Sequence, residues 1–205
     1  MQSLTTMQTD QDIKTVVREK YGEIAGQTKS QNVSSCCGAT GCCNDDQSAL
    51  MADDYSRLEG YAPEADLGLG CGLPTEFANI KLGDTVIDLG SGAGNDCFVA
   101  RALTGETGKV IGIDFTDEMI ARARQNAAKL DFRNVEFRQG DIEDMPVTSN
   151  LANVVISNCV LNLVPNKHKV FSEIFRVLKT GGHFCISDIV LEGDLPADWK
   201  QVAEL

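Results

Sequence analysis

No stretch of the chain approaches the roughly 20 apolar residues that a membrane-crossing helix needs. The first residues, MQSLTTMQTDQD, lack the basic start and apolar middle of a secretory signal. Basic side chains are scarce, with 18 Lys and Arg against 30 Asp and Glu and a net charge of -12. A nucleic-acid binder shows a basic face, so neither nucleic acid nor membrane is expected as a partner, and a cytoplasmic setting is the expectation. Histidine is nearly absent: His168 falls at a helix start and His183 follows two glycines, which gives a histidine general base little support. No sequence repeat is visible. The paired C-x2-C spacing of common zinc sites is missing as well.

What the chain does have is sulfur. Eight cysteines stand in 205 residues. In a reducing compartment they are expected as thiols serving ligation, redox chemistry or burial, not as a disulfide framework. Cys36, Cys37, Cys42 and Cys43 form a CC-x4-CC cluster. Cys71 sits in GLGCGLP, where flanking glycines leave its sulfur unshielded, and Cys159 ends the apolar run VVISN. Cys97 falls inside a helical pattern and Cys185 inside a strand pattern, and both read as core.

Two zones divide the sequence. Residues 1–82 hold one clear helix, with Ile13, Val16, Val17, Tyr21 and Ile24 at helical spacing after a Thr9-Asp10 start signal. An irregular Cys-rich stretch follows, with a short helix expected around 48–58. Residues 83–205 alternate strands and helices: TVIDLG (85–90), KVIGIDF (109–115), VEFRQGD (135–141), ANVVISN (152–158) and HFCISDIV (183–190) read as strands. Between them lie a helix over about 95–103, one with Met119, Ile120, Ala123, Ala127 and Leu130 on a face, and one with Val170, Phe171, Ile174, Phe175 and Leu178 on a face. A final helix is expected over 197–205. Such alternation implies an α/β fold, a doubly wound parallel sheet covered on both faces.

At the first strand–helix junction stands D-x-G-x-G-x-G, formed by Asp88, Gly90, Gly92 and Gly94 with Ser91 between. Glycines there let the backbone turn sharply and approach a ligand closely. A dinucleotide fingerprint needs glycine in a G-x-G-x-x-G spacing, but position 95 is Asn, and Asp88 would repel pyrophosphate. S-adenosylmethionine carries an ammonium and a sulfonium and no phosphate, so an acid beside the loop suits it. Asp114 at the end of the second strand is placed to accept from ribose hydroxyls, and Asp141 at the tip of the third to meet an adenine amino group. The ordered set resembles the class I methyltransferases, which implies a Rossmann-like sheet and a donor site that also includes Asn158.

The acceptor end lacks the Asn-Pro-Pro-aromatic of enzymes that methylate base amino groups, since Ser157, Asn158, Cys159 and Val160 stand there. Thiolate is a soft ligand and selects soft ions. SNCVLNLVP, GLGCGLP, DLGSGAGNDCFVA and SCCGATGCC, in this chain's order, resemble the arsenite S-adenosylmethionine methyltransferases. The resemblance implies that Cys71 and Cys159 bind arsenic as substrate. A further thiol comes from Cys36, Cys37, Cys42 or Cys43, with Cys37 the choice among four open ones. It also implies arsenite or its thiol conjugates as substrate and a thiol reductant of the glutathione or thioredoxin type. Two further strands and another arsenic-binding cysteine would follow HFCISDIV in the family. The chain is therefore expected to be C-terminally truncated, with 183–190 as an exposed edge. The alternatives are methylation of a small organic acceptor, or a non-enzymatic metalloid or zinc thiol binder.

Overall fold

Alternating valines and isoleucines build the centre of the molecule. In β1 (Thr85–Leu89), Val86 packs on one face of the sheet while Ile87 and Leu89 pack on the other. β2 (Lys109–Asp114) divides in the same way between Val110 and Ile111, and β4 (Ala152–Asn158) between Val154 and Val155. Strands buried on both faces are what a parallel sheet requires. With β3 (Val135–Gln139) and β5 (Leu178–Ser187), they form one sheet in the order β3-β2-β1-β4-β5, every pairing parallel. The computed structural model describes residues 9–35 and 53–190.

Six helices accompany the sheet in the described residues: α1 (Asp10–Ala25), α2 (Lys29–Ser35), α3 (Pro74–Phe77), α4 (Asn95–Thr104), α5 (Asp117–Lys129) and α6 (Lys167–Val177). The start of α1 falls where its sequence signal stands. Thr9 Oγ1 accepts from the Asp12 amide at 3.2 Å, and the Thr9 amide donates to the Asp12 carboxylate at 2.9 Å, a reciprocal capping box. On one face, Phe98 of α4 and Met119, Ile120 and Ala123 of α5 close over Val86, Val110 and Val154. Phe98 is fully buried, worth about 1.5–3 kcal/mol of transfer free energy. On the other face, Val170, Ile174 and Val177 of α6 meet Ile87, Ile111 and Val155. No helix among the described residues is long and apolar enough to cross a membrane.

Three expectations are corrected here. Of the helix expected over 48–58, residues 53–58 instead make a single 3-10 turn at Tyr55–Arg57, opened by Asp54 capping the Ser56 amide, and 48–52 lie outside the described residues. β5 begins at Leu178 and not at His183. Leu178 pairs with Ala152 and His183 with Val154, so the KTGG stretch bulges between them. The apolar stripe read along α6 is too wide, because Phe171 and Phe175 are 42% and 85% exposed. Positions 170, 174 and 177 form the row that meets the sheet. Phe171 instead meets Phe184 of β5 edge-on, ring centroids 6.0 Å apart. The expected helix at 197–205 lies outside the described residues.

The chain runs from β1 outward through β2 to β3, then returns to the other side of β1 for β4 and β5. The β1/β4 boundary is thus the point where strand order reverses, and ligands of open α/β sheets bind outside the carboxyl ends at such a point. The residues before β1 reach the same end: Tyr55 and Leu73 pack on Val99 of α4, and Lys14 and Val17 of α1 look into the crevice.

Candidate active site

At that end lies a cleft of about 1110 Å³, counted out to its open mouth. Its floor is the turn after β1. The Gly90 and Ser91 amides both donate to the Ile113 carbonyl, at 2.8 and 3.0 Å, which pulls the turn against the end of β2. Gly90 has φ +67°, and a Cβ there would run into the Val160 side chain. Gly92 has φ +51° but open space where a Cβ would stand, so its backbone faces the cleft unobstructed. The glycine pattern thus combines a packing requirement with an open approach. Gly94 opens α4 just behind.

Asp114 is buried at the end of β2. Its carboxylate accepts from the Gly92 amide at 3.0 Å and the Thr116 amide at 2.9 Å. Burial raises its carboxyl above the usual range, while those amides pull it back. Ser91 Oγ and Asn95 Oδ1 line the same cleft, buried and without a hydrogen-bond partner among the described residues. Native proteins rarely leave such atoms unmatched, so both fit a polar ligand. Four carboxylates, Asp66, Asp96, Asp114 and Asp141, line the walls; Lys29 pairs with Asp66 and Lys14 with Asp141, which leaves Asp96 and Asp114 without a cationic partner among the described residues and suited to a cationic guest.

Three residues expected at the donor site are placed differently from the simplest reading. Asp88 does not line the cleft. Side chains alternate along β1, so Asp88 points to the face that α4 covers, where its carboxylate accepts from the Cys97 thiol at 3.2 Å. Burial pushes both the Asp88 carboxyl and the Cys97 thiol well up. Asp141 does line the cleft, but Lys14 holds it at 2.6 Å and also reaches Glu143 at 2.9 Å. Asn158 lines the cleft too, yet its amide ties the chain together. Its Nδ2 donates to Tyr55 Oη at 2.7 Å, the Gly72 carbonyl at 2.9 Å and Asp96 at 3.1 Å, and its Oδ1 accepts from the Cys71 amide at 3.1 Å.

Asp96 was not singled out in the sequence. It stands in the first turn of α4, where it accepts from Tyr55 Oη at 2.8 Å. Desolvation pushes its carboxyl up to about 6, opposed by the Asn158 and Tyr55 hydrogen bonds and helped by Asp66. The Tyr55 phenol is pushed far above its ordinary value by burial and by Asp96, so it stays a donor. Its position two residues past Gly94, in the motif's own helix, was the available signal for Asp96. Lys14 carried no such signal.

The sulfurs of Cys71 and Cys159 meet beside this cleft, which Cys159 and Gly70 line. They are joined as a disulfide with Cα atoms 5.9 Å apart, where two free thiols were expected. The reason is the placement of their backbones. The Cys71 amide is held by Asn158, and the Cys159 amide donates to the Ser187 carbonyl at 2.8 Å, so both side chains turn into the same small space. Two thiolates on one ion with bonds of about 2.3 Å stand about 3.8 Å apart at a tetrahedral angle, against about 2 Å in a disulfide. With Cα atoms 5.9 Å apart, rotation of the two side chains after reduction spans that difference, so the same backbone placement suits shared ligation. Cys159 has φ +55°; the other non-glycine residues with positive φ, Asn79, Asp131 and Asn150, are the types that tolerate it. A cysteine held there stores strain at a site that uses its side chain. Cys97 and Cys185 are free cysteines, the first fully buried and the second partly so against the core, as expected. Cys36, Cys37, Cys42 and Cys43 lie outside the described residues. His168 is exposed at the start of α6 and His183 Nε2 sits 2.6 Å from the Ala78 carbonyl; neither lines the cleft.

Residues 80–205 match a family model described as a methyltransferase domain. An arsenite methyltransferase of Halobacterium salinarum is 47% identical, covering 94% of this chain and 52% of the relative. One of Aquipseudomonas alcaligenes is 35% identical over 90% of this chain and 53% of its own length. The chain thus spans about half the length of these curated relatives. Among solved structures, an arsenic(III) S-adenosylmethionine methyltransferase from Chlamydomonas reinhardtii aligns with TM-score 0.58 and 36% identity, over 75% of this chain and 52% of the other. A SAM-dependent methyltransferase from Aquifex aeolicus aligns with TM-score 0.55 and 27% identity, over 78% and 86%. The parallel order β3-β2-β1-β4-β5 and a family match across its whole extent agree: this chain belongs to the methyltransferase domain family.

Proposed function

We propose that the chain methylates trivalent arsenic with S-adenosylmethionine as donor, the arsenic being held by Cys71 and Cys159. One observation carries the reading: two sulfurs from segments 88 residues apart converge beside the acid-lined cleft, which Cys159 itself lines.

S-adenosylmethionine, when bound, supplies an electrophilic methyl group on a positively charged sulfur. Asp114 and the Gly90–Gly92 backbone hold its nucleoside part. Ser91 and Asn95 offer it unmatched polar atoms, and the carboxylate of Asp96, which no cation pairs among the described residues, favours its ammonium. Cys71 and Cys159 exchange with arsenite, each thiol proton leaving with an arsenic hydroxyl as water, so no net base is required. The sulfur-bound arsenic retains a lone pair, and the two thiolates orient it toward the donor. Holding both reactants in one cleft supplies the orientation advantage, for which effective molarities reach about 10^5 M or more. No separate catalytic base is assigned.

A thiol reductant of the glutathione or thioredoxin class delivers two electrons and two protons to return the Cys71–Cys159 pair to its dithiol form, a requirement that a reducing cytoplasm meets. Residues 83–205 form the donor-binding domain. Residues 1–82 supply Cys71, the Lys14 helix and a further thiol, Cys37 or one of Cys36, Cys42 and Cys43. The test is chromatographic detection of methylated arsenic after incubation with arsenite, donor and thiol. Product is expected with the native chain and not with Cys71→Ser or Cys159→Ser. Turnover of an organic acceptor at an undiminished rate in Cys159→Ser would refute the reading.

A further inference from the structure

We propose that Cys71, Cys159 and Asp188 form a mixed thiolate–carboxylate site that also takes a thiophilic divalent cation of the zinc and cadmium class. The inference rests on the reading above only in sharing its two sulfurs.

One ligand atom from each of the three residues lies within 4.8 Å of the others, and all three residues are partly exposed. Cys159 follows β4, Asp188 follows β5, and Cys71 comes from the loop that Asn158 pins against both strand ends. The Asp188 carboxylate is already oriented. Oδ1 accepts from Asn162 Nδ2 at 2.8 Å and from the Ile189 amide at 2.9 Å, whereas Oδ2 has only a long contact, 3.3 Å, from the Asn162 amide. This arrangement leaves lone pairs on Oδ2 and fixes the group from behind, as outer partners of metal ligands do. No Lys, Arg or His pairs with Asp188 among the described residues.

Sulfur and carboxylate oxygen together select a borderline to soft divalent ion, which accepts both donor types with a fourth position left open. Binding involves no redox change: two thiols lose two protons and form two metal–sulfur bonds, with Asp188 completing the set. Starting from the disulfide, a phosphine and one water first give the two thiols and the phosphine oxide. Such a cation has no lone pair with which to attack a methyl group. It therefore blocks the acceptor position while leaving the donor cleft untouched.

The experiment is a titration of the phosphine-reduced full chain, carrying serine at Cys36, Cys37, Cys42 and Cys43, with cadmium chloride. The thiolate-to-cadmium charge-transfer absorbance is the readout, and donor binding by calorimetry checks folding in every variant. One cadmium per chain is expected, lost in Cys71→Ser and Cys159→Ser, weakened roughly 10–100-fold in Asp188→Asn and displaced by arsenite. An unchanged affinity in Asp188→Asn overturns the site. Absence of cadmium binding in a chain whose two thiols are still protected by arsenite overturns it too, and leaves the methylation reading standing. Cadmium binding that depends on all three residues but resists saturating arsenite supports the cation site and contradicts the methylation reading instead.

Discussion

The two ends of the cleft are made in opposite ways. The donor end is local: the Gly90–Gly94 turn and Asp114 come from two consecutive strand–helix junctions and are held by backbone amides, those of Gly90 and Ser91 on the Ile113 carbonyl and that of Gly92 on Asp114. The sulfur end is assembled from pieces far apart in the chain, with Tyr55, Cys71, Asp96, Asn158, Cys159 and Ser187 meeting through side chains and one strained backbone position. A local turn is specified by its own sequence. A convergent site holds its geometry only while every strand end and loop stays in register.

If the ends are separable, substitutions divide their effects cleanly. The largest effect is expected at sulfur: Cys71→Ser or Cys159→Ser lowers arsenic methylation by about 100-fold or more, since even outer-shell losses at ion sites reach that scale. Donor affinity by calorimetry should stay within about twofold of native. Asp114→Asn is the converse. Removing hydrogen bonds to a charged group, about 1.5–3 kcal/mol, should weaken donor binding roughly 10–100-fold while thiol protection by arsenite is kept.

Tyr55→Phe probes where the ends touch. Its hydroxyl is shared by Asp96, Asn158 and Gly72, so its loss leaves partners unmatched. A destabilisation of about 1–3 kcal/mol in denaturant titration is expected, with both ligands weakened together. A loss confined to one ligand would break the proposed link.

Asp96 gives a pH signature. Its folded carboxyl keeps a proton up to about 6, whereas the unfolded value is 3.8, so across that window the folded state binds more protons. Its contribution to stability therefore falls as pH rises from about 4 to 6 and is level above. The stability difference between native and Asp96→Asn, measured by urea titration, should drop through that interval. The smallest effect concerns strain. With phosphine present, Cys159→Gly should be more stable than Cys159→Ala by about 1 kcal/mol, because only glycine adopts φ +55° freely.

Much of the donor end was legible in the sequence because strand alternation and glycine spacing are short-range signals. That Cys71 and Cys159 meet was an expectation carried by resemblance, since 88 residues separate them. Lys14, Tyr55 and Asp188 were not, because their roles arise only on folding: Lys14 reaches Asp141 across 127 positions, and Asn158 reaches Tyr55 across 103. The direction of Asp88 follows from the period of two in β1, which turns it with Val86 toward α4. The two stripes of α6 could not be told apart by period alone, since Phe171 and Phe175 sit one position beyond the row that faces the sheet.

The most direct measurement is arsenic-edge X-ray absorption on the phosphine-reduced chain with one equivalent of arsenite, native against the Cys71→Ser, Cys159→Ser double variant. A sulfur shell around arsenic in the native chain, replaced by oxygen in the variant, is the expected result. A sulfur shell that survives both substitutions, or an all-oxygen shell in the native chain, would contradict arsenic binding at the meeting point of these two strand ends.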